Sequence, residues 1–138
     1  MTISLNPYLN FAGNTREAME FYQSIFGGEL TIATFEESGV GDPMPPEGVM
    51  HAHLQTSSFS IMASDAMPGA EETWGGTRNY LSLNGEAADA ETLTSWFEKL
   101  SSDGGSVGMP LEKQMWGDEF GICKDRYGLE WMISFPAS

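Results

Sequence analysis

The sequence predicts an α+β fold: two βαβββ modules in tandem, with the helices backing the sheet. Three observations predict it. Hydrophobic periodicity runs strand, helix, then three strands, and then repeats that order. Each predicted helix is followed by a glycine pair, Gly27-Gly28 and Gly104-Gly105. An acid-, Pro- and Gly-rich stretch, residues 65–77, separates the two halves. The whole chain, 1–138, is then one domain, with module one at 1–64, the linker at 65–77 and module two at 78–136.

The elements follow in order. Residues 3–11 alternate Leu5, Leu9 and Phe11 with small or polar residues, the period of a half-buried strand. Asn14 or Thr15 caps a helix with Glu17 in its first turn. Over 15–26, Ala18, Phe21, Tyr22, Ile25 and Phe26 fall at three- and four-residue steps and make one apolar face. Gly27-Gly28 stops it, because glycine accepts the left-handed conformation at a helix end. Residues 29–36 read as a strand, and 37–48 as a Gly- and Pro-rich loop long enough to act as a lid. Strands at 49–56 and 58–64 close the first module.

The second module restarts with Tyr80, Leu81 and Leu83 in a strand. Asp89 opens a helix whose apolar face is Leu93, Trp96, Phe97 and Leu100. Residues 106–115 give a strand interrupted by Pro110, and 119–124 with 129–135 give a closing hairpin around KDRYG. Half-sheets that curve toward each other would enclose a cleft for a small ligand.

Composition excludes several functions. The chain carries 20 Asp and Glu against 6 Lys and Arg, a net charge of −14. Six cationic side chains cannot build a phosphate-binding stripe, so neither nucleic acid nor an anionic membrane is an expected partner. No apolar run reaches the length of a membrane span, and MTISLNPYLNF lacks the pattern of a secretory signal. The single cysteine, Cys123, has no disulfide partner within the chain. A cytoplasmic location is the expectation.

Polar and chemically able residues concentrate on particular strand faces. Asn6, Tyr8 and Asn10 alternate opposite Leu5, Leu9 and Phe11 and suit either a polar cavity wall or a solvated face. His51 and His53, the only histidines, share one face of a strand; Met50, Ala52 and Leu54 take the other, helix-packed face. The pair could ligate a metal, exchange protons near neutral pH, or simply line a wall and bond a loop. Glu130 shares a face with Met132 and Ser134. Trp74 and Trp116 lie in loops, where they could cover a pocket, anchor the loop or meet a second copy. Cys123 reads as a buried, inert thiol, and Asp65 and Asp125 as side chains that cap turns.

Five ordered stretches carry a resemblance: PYLNFAGNTREAMEFYQSIFGGEL, MHAHLQ, IMASDAMPG, YLSLNG and WGDEFGICKDRYGLEWMISF. Together they resemble the PhnB-like proteins of the vicinal oxygen chelate superfamily, which also holds glyoxalase I, the extradiol dioxygenases and the bleomycin and fosfomycin resistance proteins. The resemblance implies a glyoxalase-like fold, in which the duplicated βαβββ modules form an open, eight-stranded, barrel-like sheet with a cavity for a small molecule, and a homodimer. It also implies four positions where metal-binding relatives place their ligands. Here those are Asn6 or Pro7, Met62, a residue within 78–80 and Met132. Thioethers are soft donors unsuited to Mg, Mn, Fe(II) or Zn, so no metal and no cofactor are expected. PhnB-like proteins are also labelled as methyltransferases of 3-demethylubiquinone. The chain shows no Gly-rich strand-to-helix turn followed by an acidic residue to hold a methyl donor's ribose.

The expected function is binding of a small organic molecule in a cavity lined by Asn6, Tyr8, Met62, Tyr80, Glu130 and Met132, with His51, His53 and Trp116 contributing. The alternative is a metal-dependent lyase, isomerase or dioxygenase on a non-standard site of His51, His53 and Glu130. Sequestration of a cationic antibiotic is a third reading, suited to the acidic surface.

Overall fold

The computed structural model describes residues 6–41, 44–66 and 80–137. The chain divides into two compact units, 1–75 and 76–138. The first holds β1 (Tyr8–Phe11), α1 (Thr15–Phe26), β2 (Glu29–Thr34), β3 (Val49–Gln55) and β4 (Ser60–Asp65). The second holds β5 (Leu81–Asn84), α2 (Ala90–Leu100), β6 (Ser106–Lys113), β7 (Asp118–Lys124) and β8 (Glu130–Pro136). The duplicated βαβββ order is therefore observed. The linker expected at 65–77 lies outside the described residues from 67 onward, and Asp65 itself ends β4.

The two sheets repeat one topology. Their strand orders are β1-β4-β3-β2 and β5-β8-β7-β6. In each, the first strand runs parallel to the last and the other pairings are antiparallel. The eight strands pair as two separate four-stranded sheets, not as one continuous barrel.

Each helix covers one face of its own sheet. In α1 the buried residues are Thr15, Ala18, Met19, Tyr22 and Ile25. Phe21 and Phe26, expected in that face, are half-buried, and Met19 takes the core place. The sheet side of this layer is Phe11, Ala52, Leu54, Ile61 and Ala63, all buried. In α2 the buried face is Leu93, Phe97 and Leu100, over Cys123, Trp131, Ile133 and Phe135. Trp96 is half-buried, at the edge of that face.

Three local features depart from the expected pattern. Pairing of β2 with β3 slips between Ala33 and Thr34, which face His51 and Val49. The extra residue is Met50; the bulge turns Val49 into the core at 2% exposure and leaves Met50 37% exposed. Strand β6 continues through Pro110, because it is an edge strand and its irregular pairing spares the missing N–H. The 35–48 loop is tied down by Phe35 N–H to the Gly48 carbonyl and Glu36 N–H to the Pro46 carbonyl, with Phe35 and Met44 buried. Among the described residues, no helix is long and apolar enough to cross a membrane.

Candidate functional site

A helix on one face leaves the other face of each sheet to polar side chains. In the first unit the strand register sets Tyr8, Met62, His53 and Thr31 side by side across all four strands. Asn10 pairs with Ser64, and His51 with Ala33, one step along the same strands. Alternation puts these residues on one face, opposite Ala52, Leu54, Ile61 and Ala63. At the far end of β4, Ser60 Oγ donates to Asn6 Oδ1 at 2.8 Å.

The two histidines are held differently. A hydrogen bond of 3.2 Å joins Tyr8 Oη and His51 Nδ1, and the two rings lie 5.9 Å apart. His53 Nε2 is buried and has no hydrogen-bond partner, alone in this among the buried side-chain N and O atoms of the described residues. Buried polar atoms almost always find a partner, so an orphan of this kind calls for an explanation.

The second unit presents a matching face. Ser82 pairs with Met132, Met132 with Ile122, and Ile122 with Met109. Asn84 pairs with Ser134, whose Oγ donates to Asn84 Oδ1 at 2.7 Å, while Asn84 Nδ2 donates to Ser82 Oγ at 3.0 Å. Glu130 and Met132 are half-buried on this face, and Tyr80, just ahead of β5, is 44% exposed. Met62 and Met132 thus hold the same place in their sheets, each on the last strand beside the first. The parallel register sets Tyr8 beside Met62 and Ser82 beside Met132. Asn6 lies one step away from the first pair and Tyr80 one step from the second.

Of the residues marked in the sequence, Tyr8, His51, His53 and Met62 gather on one face of the first unit, with Asn6 at its end. Glu130, Met132 and Tyr80 belong to the second unit. His51 and His53 therefore lie in one unit and Glu130 in the other. Among the described residues, no three His, Cys, Asp or Glu side chains group as a metal site. Trp116 sits in the β6–β7 turn, 59% exposed, with its ring 6.1 Å from that of Phe120. Trp74, Arg78 and Asn79 lie outside the described residues. Sequence reading missed Thr31, Ser64, Ser82 and Asn84. Two-residue alternation from Tyr80 through Ser82 to Asn84 was the available signal for the last two.

Of the positions carried over from metal-binding relatives, Met62 and Met132 offer thioethers, with the Tyr8 phenol beside Met62 in the first unit and the Ser82 hydroxyl beside Met132 in the second. They do not fit a hard divalent cation, which takes carboxylate, carbonyl or imidazole donors. Two surface concavities lie elsewhere. One, of about 520 Å³, is bounded by α2, Glu119 and Phe135. The other, of about 490 Å³, is bounded by the start of α1 and residues 45–49. Both are open and carry no orphaned polar group.

Comparison with known proteins agrees with this architecture. Residues 4–134 match the model of the 3-demethylubiquinone-9 3-methyltransferase family. Protein YjdN of Escherichia coli is 30% identical over 142 residues, covering 94% of this chain and 93% of that one. Protein PA1353 of Pseudomonas aeruginosa superposes with a TM-score of 0.81 at 34% identity, covering 98% of each chain. The PhnB protein of Bacillus cereus gives 0.77 at 26%, covering 96% of this chain and 99% of its own. The fold alone is shared with the fosfomycin resistance protein FosX of Listeria monocytogenes, at a TM-score of 0.61 and 10% identity over 98% and 93% of the chains; that protein was crystallised with Mn(II). The chain belongs to the 3-demethylubiquinone-9 3-methyltransferase family.

Proposed function

We propose that the protein binds a small organic molecule on the polar face of its first sheet, through side chains alone and without a metal at the four positions used by metal-binding relatives. One observation carries the reading. His53 Nε2 is buried without a partner beside Met62 and Thr31, one step from the Tyr8–His51 pair. An unpaired buried polar group costs about 1–3 kcal/mol, and a ligand atom bonded to it would remove that cost. Met62 adds an adaptable apolar contact beside the polar groups. The resemblance supports a homodimer as the state that does this, which sedimentation equilibrium would test.

The family's name speaks of methyl transfer, and that reaction is not part of this reading. The turn from β1 into α1, Ala12-Gly13-Asn14, holds a single glycine, and the sheet it leaves has only one parallel pair. A dinucleotide-type cradle needs several glycines and a parallel sheet.

Thermal denaturation against a panel of small organic compounds, and separately against Mn, Fe(II), Ni and Zn, tests the proposal. A compound at a hundred times its Kd stabilises by about 2.7 kcal/mol. The expected result is stabilisation by members of the organic panel, none by the metals, and loss of the response in His53→Leu. Near-stoichiometric metal uptake, or an undiminished organic response in that variant, overturns it.

A further inference from the structure

We infer that the ligand of this face is a small organic acid whose carboxylate is held by His51 and His53, and that it binds together with a proton. The inference rests on the binding reading above and names its ligand class.

The charge pattern of the face carries it. Both histidines of the chain lie there. The row Tyr8-Met62-His53-Thr31 and the neighbouring pairs Asn10–Ser64 and His51–Ala33 contain no Asp, Glu, Lys or Arg. A chain with 20 acidic residues has kept every one of them off these positions. A cation site would draw on carboxylates, since a buried positive charge needs an opposite one. Within the first unit, the other titratable groups on this face are Tyr8 and Glu29. Glu29 pairs with Gln55 at the end of the sheet and is exposed. The one cationic side chain among that unit's described residues is Arg16, on the helix that covers the opposite face. Among the described residues of the first unit, the two imidazoles are therefore the groups on this face that can carry positive charge toward a bound anion.

The hydrogen bonding agrees. With the Tyr8 hydroxyl donating to His51 Nδ1, the His51 proton sits on Nε2 and is available to an acceptor. His53 Nε2 is already desolvated and unbonded. Carrying a hydrogen, as the neutral Nε2–H tautomer or as imidazolium, it is a second donor about 7 Å along the strand from the first, and the flexible side chains can converge on one carboxylate. A charge-assisted bond is roughly twice as strong as a neutral one. The acid therefore favours imidazolium, and by linkage its affinity rises as pH falls through the imidazole range. The net charge of −14 repels such a ligand at a distance, but salt screens that repulsion within about 8 Å at physiological strength. Selectivity then comes from contact on the face.

Benzoate, phenylacetate and salicylate are the probes, against benzamide, phenylacetamide and salicylamide and against benzylamine as a cation. Calorimetry in two buffers of different ionisation enthalpy reads proton uptake. The ¹⁵N spectrum of only two imidazoles reads the site directly in the unaltered protein. The acids are expected to bind about tenfold more tightly near pH 6 than near pH 8, with proton uptake, shifts of both imidazoles and an about tenfold loss in His53→Gln. Amides that bind as well as acids at both pH values overturn the inference while leaving the binding reading in place, provided His53→Gln weakens them. Tighter binding of benzylamine does the same. If no probe moves either imidazole, the acid assignment falls, and the wider panel decides the binding reading by itself.

Discussion

The hydroxyl of Thr15 donates to the carboxylate of Asp65 at 2.6 Å, across 50 residues of sequence. The same Oδ1 accepts the Thr15 backbone N–H at 3.1 Å, and Oδ2 accepts the Val49 N–H at 2.9 Å. Asp65 thus caps α1 from the end of β4 and ties down the start of β3. The residue before the helix, Asn14, makes no capping bond with its side chain. Removing the carboxylate leaves two N–H groups and a hydroxyl unpaired at a buried place. Asp65→Ala is expected to destabilise by about 3–5 kcal/mol, and Thr15→Val by about 1–2 kcal/mol, because only one of the three bonds is lost. Urea unfolding would show this as a lower midpoint with an unchanged slope.

Asp125 does a related job in the last hairpin. Its Oδ1 accepts the backbone N–H groups of Tyr127 and Leu129, at 2.8 and 3.1 Å, and its Oδ2 accepts Trp131 Nε1–H at 2.8 Å. Asp125 is 2% exposed, so the indole donor answers a carboxylate that water cannot reach. Trp131→Phe keeps most of the apolar volume and removes that donor. It is expected to cost about 2–3 kcal/mol, hydrogen bonds to charged groups being worth more than neutral ones. A double-mutant cycle with Asp125→Asn should give a coupling of at least about 1 kcal/mol; additive effects would show that the cost is packing alone.

Two glycines with positive φ separate backbone strain from steric overlap. Gly39, at φ 77°, has nothing within 4 Å of the place a Cβ would take. Gly28, at φ 93°, would drive its Cβ into the Gln55 carbonyl and to 2.9 Å from Thr56 Cα. Gly39→Ala is expected to cost about 1 kcal/mol, the left-handed penalty alone. Gly28→Ala should cost more than about 2 kcal/mol, since backbone of β3 would have to move. Thermal unfolding of the two variants side by side checks the order.

These positions also show what could be read from sequence. The tandem βαβββ order and the polar-versus-apolar split of β3 at His51, Ala52, His53 and Leu54 were legible because they are periodic. Gly27-Gly28 was legible as a helix stop, but its second role, close contact with the Gln55 backbone, is long-range. So is the Asp65 cap, which sequence reading assigned to Asp65's own turn. Met50 was placed on the core face by simple alternation, and one bulged residue reversed it. On the candidate face, Tyr8 and the histidines were found from strand alternation and side-chain chemistry, and Met62 from the family resemblance. That Tyr8 stands beside Met62 depends on how a parallel pair aligns across some fifty residues, and no local pattern encodes that. The unsatisfied atom on that face, His53 Nε2, left no local trace either, because satisfaction is a property of the packed structure.

Cys123 gives a prediction whose direction depends on pH. It is 1% exposed, on the helix side of β7, and its thiol is pushed up to about 11, first by burial and second by the negative charge of Asp125. The folded state therefore holds the proton more tightly than the unfolded chain, where the thiol lets it go near 9. Below that pH both states carry the proton and the full contribution to stability is present. As pH rises from about 9 to 11, the unfolded chain ionises while the folded one does not, and roughly 2–3 kcal/mol is lost. Cys123→Ala removes that dependence at the expense of a small cavity. Unfolding curves of both forms at pH 8 and at pH 10.5 should converge at the higher value. At pH 8 a disulfide reagent should label the native thiol only as fast as the strand opens, because neither thiolate nor access is supplied by the folded state. Rapid labelling of the native protein would place the sulfur outside the core and remove the basis for the pH effect.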